Sequence, residues 1–593
     1  MIRSESDKKT AHRNTKEALL TRINEHEVIS FDIFDTLLVR KVLTAEDVFN
    51  LVSERALREG MRLRNFREMR QNAQETLGLT NPDIYEIYDS FQQLTGVSDP
   101  VRDRLIQLEF EVELEVLLTR KEMIEIYQYA LRREKKVYLV SDMYFPRKMM
   151  EMLLKQFGIT GYEGLLISCD CKKLKMQGLF QELSAREPGR AILHIGDHEV
   201  YDGVCPNESG IDSFLICTPW ELAQRSSWKR VFLQKPDYIN DRSLLGLSIS
   251  RMFNSPFKLS SGTEAPEIKE DYDLAYILVA PIVTVFMDWF IGRVKDRGYD
   301  GVLFAARDGF LIQRLYEKAI EILGWHDMPK GIYFQTSRKA AVTSDMANEA
   351  VINMLIEMRG ILPPETVLSQ LFGLDKADID PFPEGADWDL EIYNYVWRHR
   401  EQIFQKSSDM RRNYFRYMGN LELKIGGKYV FYDFVSSGTC QKTLNKMVPF
   451  ELQGLYFGWN SEENMRDHSI HAMFERGNSF FIRYYKMLET FMTSDKPSLD
   501  GLDKLGRPVL AKEHRTQNEI ERVAVIQQAV SDYFEDYMRN LYIPGEEFDA
   551  DCSDRILSCI TETDISGMQY DLFEQELTDD WNRESKPLRE ILQ

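Results

Sequence analysis

Asp32 stands at the end of an apolar run, Val28-Ile29-Ser30-Phe31, with the turn residues Asp35-Thr36 close behind it. Three further runs also end on reactive side chains. Val137-Tyr138-Leu139-Val140 leads into Ser141-Asp142, and Gly164-Leu165-Leu166-Ile167 leads toward Lys172-Lys173-Leu174-Lys175. Ala191-Ile192-Leu193-His194-Ile195 leads into Gly196-Asp197, with Asp202 shortly after. Short apolar runs bounded by turn chemistry predict buried strands of a parallel sheet, and ligands of such sheets sit at the carboxyl ends of the strands. A carboxylate there can attack a phosphoryl or carbon centre and hold it as an ester. In this set Asp32 is the nucleophile and Ser141 a hydrogen-bond donor to phosphate. Lys175, preferred over Lys172 and Lys173 because it lies nearest the following helix, neutralises the attacked group. Asp197, supported by Asp202, suits a hard divalent cation such as magnesium, which binds through one or two carboxylates plus substrate phosphate.

The intervening elements must bring these groups together. Helices are expected from about 147 to 157 and from near Gly178, and strands alternating with helices give a parallel, helix-covered sheet. Between the first two strands, from Thr44 to about Lys136, the pattern is helix after helix, broken near Gly60, near Gly78 and Pro82, and near Gly96 and Pro100. Thr44 reads as a helix cap, with Glu46 and Asp47 in the first turn. Such an insertion forms a lid that excludes water and selects substrates. Residues 1–25 read as a polar, partly helical lead-in.

Residues 26–225 resemble the haloacid dehalogenase-like (HAD) superfamily, in the subgroup whose helical cap (about 44–130) follows the first strand. Phe31-Asp32-Ile33-Phe34-Asp35-Thr36-Leu37 resembles its opening signature. The serine at a strand end, the lysine before a helix and Gly196-Asp197…Asp202 follow in the family's order. The resemblance implies an aspartyl ester, usually an aspartyl-phosphate hydrolysed by water. It also implies Mg2+ held by Asp32, the backbone carbonyl of Phe34, Asp197 and Asp202. One departure stands out. Family phosphatases carry an acid-base Asp two residues after the nucleophile, and here that residue is Phe34. An aromatic there is more like the dehalogenases, which need no proton donor for a halide, whereas Asp197 and Asp202 look like a metal site, which dehalogenation does not need. Proton donation to a poor leaving group contributes about two to four orders of magnitude. The nearest substitutes in sequence are Asp35, Asp142 and His198. Asp35 reads more readily as a turn carboxylate bonding backbone amides, and His198 as a surface residue. Cys169 and Cys171 lack the second ligand pair of a zinc site.

Turn and linker residues around Asn254-Ser255-Pro256 and Ser260-Ser261-Gly262-Thr263 mark 226–265 as a boundary. A second α/β domain follows over 266–510, with strands at Gly301-Val302-Leu303-Phe304, Gly331-Ile332-Tyr333-Phe334, Lys428-Tyr429-Val430-Phe431-Tyr432 and 452–457. Arg307, Asp308, Arg338, Asp433 and Ser437 fall at their ends and define a possible second site. The loop after Asp433 is vaguely similar to the diphosphate-sugar loop of phosphoribosyltransferases, although a plain tight turn accounts for it more simply. This half is similar to the C-terminal region that accompanies HAD-like domains in some bacterial surface-polysaccharide proteins. From 511 the chain reads as acidic helices.

The fold class expected is therefore α/β: a Rossmann-like HAD domain with an α-helical cap, a second α/β domain and a helical C-terminal region. A length of 593 residues agrees with several domains. A formal net charge of −21 argues against non-specific nucleic-acid or membrane binding. Seven scattered cysteines suggest a reducing, cytoplasmic setting. The charged N-terminus does not read as a signal peptide. The apolar stretch from Ala275 to Phe286, shorter than the roughly 20 residues a membrane span needs, reads as a buried helix. The function expected is a magnesium-dependent phosphohydrolase for a small phosphorylated metabolite such as a sugar phosphate. The alternative is a weak HAD module attached to a phosphosugar or glycosyl transferase-like second domain.

Overall fold

The computed structural model describes residues 8–436, 438–459, 469–474, 479–568, 576–578 and 585–587. It is an α/β protein with two compact units. The first comprises Met1–Ile282 with Asp532–Met568, and the second comprises Val283–Ser531 with Gln569–Gln593.

The first unit is built on five strands: β1 Val28–Phe31, β2 Lys136–Ser141, β3 Gly164–Ile167, β4 Ile192–Gly196 and β5 Asp212–Leu215. Their order is β3-β2-β1-β4-β5, and every neighbouring pair is parallel. The chain winds outward from β1 to β3, then returns to the other side of β1, so the direction of winding reverses between β1 and β4. Such a reversal opens a crevice at the strands' carboxyl ends. The strands are apolar because both faces are covered. Helix Lys121–Arg132, for example, buries Met123, Ile126, Tyr127 and Ala130, the spacing of a single helical face.

The lid consists of four helices, Asp47–Arg58, Phe66–Thr76, Ile84–Thr95 and Asp99–Val116. A small antiparallel ribbon ties its two ends together, pairing Leu38 with Thr119 and Arg40 with Leu117. The first lid helix starts at Asp47 rather than at a Thr44 cap: the Thr44 hydroxyl accepts from Arg242 (2.9 Å) and not from the first helical amides. Inside the lid, Arg70 is wholly buried and forms a two-pronged pair with Glu109 (2.8 and 2.9 Å). Tyr88 also donates to Glu109 (2.7 Å).

The segment 226–265, a boundary in the sequence pattern, contains helix Ile239–Met252, which is buried along most of its length. Gly246 lets that helix approach the lid hinge, since a Cβ there would lie 2.5 Å from the Lys41 carbonyl oxygen. The expected helical tail is shared between the units, with Asp532–Met568 belonging to the first. There Tyr533 donates to the Leu244 carbonyl (2.9 Å), and Asn240 bonds to the carbonyls of Ile543 and Glu546 (3.1 and 3.2 Å). The lead-in is also part of this unit. Helix Lys16–Glu25, capped by Thr15, buries Leu19 and Ile23.

In the second unit the strands are β6 Gly301–Ala305, β7 Gly331–Phe334, β8 Lys428–Ser436, β9 Glu451–Trp459 and β10 Ile470–Phe474. They form a second parallel sheet, ordered β10-β9-β8-β6-β7, whose reversal lies between β6 and β8. Helix Asp271–Val294, at 24 residues, is long and apolar enough to cross a membrane, but 89% of its apolar window is buried inside the structure. Phe286 of that helix stacks on Phe457 of β9 (4.1 Å between ring centres).

Candidate active site

The reversal between β1 and β4 gathers the groups that the sequence placed at strand ends. Asp32 follows β1, and Asp197 follows β4. Lys175, arriving in the short turn Lys175–Gln177, places its ammonium 2.6 Å from Asp32 and 2.6 Å from Asp202. The two neighbouring lysines are engaged elsewhere, Lys172 with Glu86 (2.7 Å) and Lys173 with Glu182. Gly196 permits this closeness, because a Cβ at that position would meet the Asp202 carboxyl carbon at 2.3 Å. Ser141 ends β2 and is buried.

Asp142, at the end of β2, and several residues that the strand-end pattern does not single out hold the cluster in place. His194 bridges the Ser30 hydroxyl (2.8 Å) and Asp202 (2.9 Å). Ser30 and His194 are register partners on β1 and β4, and two facing polar residues inside apolar strands were the available signal. Asp142 accepts the backbone N–H of Lys175 (2.9 Å) and so fixes the lysine turn. Ser168 clamps the loop after β2 through the backbone of Met143 (3.0 and 3.3 Å). Lys8, from the lead-in, bonds to the carbonyl oxygens of Asp197 and Ile216 and pairs with Glu221 (2.8 Å).

The electrostatics follow from one buried ammonium shared by two carboxylates. Burial first pushes the Asp32 carboxyl up to about 7 against the pull of Lys175, and the charge of Asp202 adds to the rise. Asp202 is buried too, but Lys175 and His194 hold it below the usual carboxylate range, and the His198 N–H donates to its other oxygen (2.9 Å). Burial would lower Lys175, yet Asp202, Asp32 and Asp142 outweigh it and keep the ammonium charged. Asp197 is raised well above its ordinary value by burial, then by the charges of Asp35, Asp202 and Asp32.

Asp32, Asp197 and Asp202 each offer an oxygen within 4.8 Å of the others, and among the described residues this is the single such group of three metal-binding types. Oxygen-only donors with more negative charge than Lys175 offsets fit a hard divalent cation. Asp202 already serves Lys175, His194 and the His198 amide, so Asp32 and Asp197 are the better placed ligands.

The three possible proton donors separate clearly. Asp142 holds the lysine turn. His198 accepts the N–H groups of Val200 and Tyr201 (both 3.2 Å) and stacks on Tyr201 (4.2 Å), which makes it a local cap. Asp35 adopts a left-handed backbone conformation (φ 57°). Its carboxylate accepts no hydrogen bond among the described residues, contrary to the turn expectation, and its carbonyl takes the Arg120 guanidinium (2.7 Å). Burial raises the Asp35 carboxyl against Arg40 and Arg120. Phe34 lies with its ring under the Arg40 guanidinium (4.7 Å).

The second set of residues is also at a reversal. Arg307 and Asp308 follow β6, Arg338 begins a short helix after β7, and Asp433 lies within β8. Ser437 lies outside the described residues. Arg307 donates to Thr493 (3.2 Å) and Ser498 (2.5 Å). Glu489, on helix Phe480–Met492, joins the set and is pushed up to about 7 by burial, against Arg307. Asp308 is raised by burial, then by Glu489 and Asp433. Gly438 donates to the Ser436 hydroxyl (3.0 Å), an ordinary turn.

No family model matches the chain, and no curated protein matches it. Solved structures do. An L-2-haloacid dehalogenase is 16% identical, with a TM-score of 0.25, covering 33% of this chain and 86% of that one. A HAD family enzyme from Bacteroides thetaiotaomicron is 15% identical, with a TM-score of 0.25, over 32% of this chain and 94% of that one. A predicted phosphoglycolate phosphatase from Haemophilus somnus is 13% identical, with a TM-score of 0.23, over 32% and 84%. These similar structures are HAD-type dehalogenases, hydrolases and phosphatases matching about a third of the chain.

Proposed function

We propose that the first unit is a HAD-type phosphohydrolase that acts through an aspartyl-phosphate on a small phosphorylated metabolite. The observation that carries this reading is the ammonium of Lys175 held 2.6 Å from both Asp32 and Asp202 beside Asp197. An oxygen of Asp32 attacks phosphorus, the bond to the leaving oxygen breaks, and that oxygen departs with the electron pair. Lys175 and Ser141 hold the non-bridging oxygens, and Asp202 and Asp142 hold Lys175. Asp35 delivers the proton that Phe34 cannot, then takes one from the water that hydrolyses the ester. A magnesium ion held by Asp32, the Phe34 carbonyl and Asp197, with Asp202 behind them, would supply charge neutralisation between nucleophile and phosphate.

Seven free cysteines support a reducing, cytoplasmic setting, and a sugar phosphate in surface-polysaccharide metabolism is the substrate class that the resemblance favours. The test is phosphate release from a panel of phosphorylated sugars and nucleotides, with and without magnesium, for wild type and Asp32→Asn. Magnesium-dependent turnover lost in the variant supports the reading. Turnover that survives Asp32→Asn would move the chemistry to the second unit, whose acid cluster includes the buried Tyr432 hydroxyl, which has no hydrogen-bond partner among the described residues.

A further inference from the structure

A cavity of about 240 Å3 opens beside the candidate site, lined by Asp35, Arg40, Thr44, Trp220, Lys235 and Ile249, among others. Two of its walls are the turn after β1 and the loop after β5. The third is helix Ile239–Met252, which lies beyond the stretch that resembles HAD enzymes. The cavity and the carboxylate cluster share a wall. Phe34 carries the Arg40 guanidinium on its ring, and the charge of Asp35 bears directly on Asp197.

The charges around this cavity differ in how closely they are paired. Arg40 is matched by Glu113 (2.6 Å), and Arg242, which bears on Lys235, is matched by Asp47 (2.8 Å). Arg120 and Asp35 offset each other. Asp47, Glu46 and Asp35 bear on Lys235 only at longer range, against Arg242. Lys235 is half-buried, has no ion pair among the described residues, and lies 5.6 Å from the centre of the Trp220 ring. A cation–π contact of this kind holds the charge but accepts none of the ammonium's three N–H donors as an anion's oxygens would. The volume is below the roughly 300 Å3 at which drug-sized pockets begin, so its occupant is a small group.

We propose that this cavity receives a second anionic end of the substrate, a carboxylate or a second phosphate, with Lys235 as its counter-ion and Trp220 against the connecting carbons. The substrate class is then a phosphate monoester with an acid at its far end. This rests on the phosphohydrolase reading for the position of the ester, but the binding of the acid stands on the cavity alone.

The test uses the full chain with two probes that differ in the far end, 3-phosphoglycerate (a carboxylate) and glycerol 3-phosphate (a hydroxyl). Calorimetric binding is measured in the Asp32→Asn background, and turnover in the wild-type background. The expected result is at least tenfold tighter binding and higher kcat/KM for 3-phosphoglycerate, with both preferences lost in Lys235→Met and kept in Lys229→Met, a change at an exposed lysine. A bisphosphate run alongside separates the two kinds of acid. Equal affinity for both probes, or a preference that survives Lys235→Met, overturns the proposal. Binding with the expected preference but no turnover overturns the phosphohydrolase reading and leaves the cavity assignment standing. Turnover without preference does the reverse.

Discussion

The two units solve the same topological problem with different chemistry. Each is a five-stranded parallel sheet whose winding reverses beside its first strand, and each places a left-handed residue in the turn after that strand, Asp35 (φ 57°) and Arg307 (φ 71°). Each also collects buried carboxylates whose protons are held more tightly than usual. The difference lies in the cation. In the first unit a single lysine reaches two carboxylates at 2.6 Å and leaves a third within metal-binding reach. In the second, Asp308, Asp433 and Glu489 lie in the field of two arginines, Arg307 and Arg338. A strand reversal supplies a place for chemistry. The loops that reach it decide which chemistry is possible.

The comparison breaks most directly at the two acids. Asp32→Asn should lower turnover of a phosphate ester by about 10^4-fold or more, as removal of a nucleophile does, whereas Asp433→Asn should change it less than about threefold in the same assay. Equal losses would mean that the units are not chemically distinct.

Lys175→Met comes next. It removes the shared counter-charge, so kcat should fall about 10^2–10^3-fold, and folding should lose about 3–5 kcal/mol because two buried carboxylates lose their partner. Thermal melting would show this deficit to be larger at pH 8 than at pH 5, since protonation relieves the uncompensated acids.

Asp35→Asn sharpens the account of the missing acid at Phe34. Its cost should be about 10^2-fold with alkyl phosphates and near nothing with an aryl phosphate, whose leaving group needs no proton. A uniform loss across leaving groups would make Asp35 structural.

The smallest effect concerns stability. Asp241, on the buried helix Ile239–Met252, is pushed up to about 7 by burial, although it accepts the Asp549 N–H (2.9 Å). Its folded value lies above the unfolded one of about 3.9. Its contribution is therefore present below pH 4 and is lost as pH rises toward 7, by about 2–4 kcal/mol in all. Asp241→Asn should flatten that decline, seen as a smaller drop in Tm between pH 5 and pH 8.

Much of the first unit was legible because its information is local. Four apolar runs ending on Asp32, Ser141, the lysine segment and Gly196-Asp197 are visible in a few residues each, as is the helical insertion. What was hidden depends on contacts between distant segments. Helix Ile239–Met252 mixes Ser243, Ser248 and Ser250 with its leucines, which blurs its apolar face, and its partners Tyr533 and Ile543 lie far along the chain. Lys235 reads locally as a surface lysine, and only the folded cavity shows it half-buried against Trp220. Glu489 sits in an amphipathic helix with no strand end to flag it.

The central claim is a covalent ester on Asp32, and the most direct measurement is rapid acid quench of the protein turning over a phosphate ester, followed by peptide mass spectrometry. The account predicts a phosphoryl group on the peptide carrying Asp32 in the presence of magnesium, absent from Asp32→Asn. Steady turnover with no phosphoryl group on that peptide, or with one on a peptide of the second unit, would contradict it.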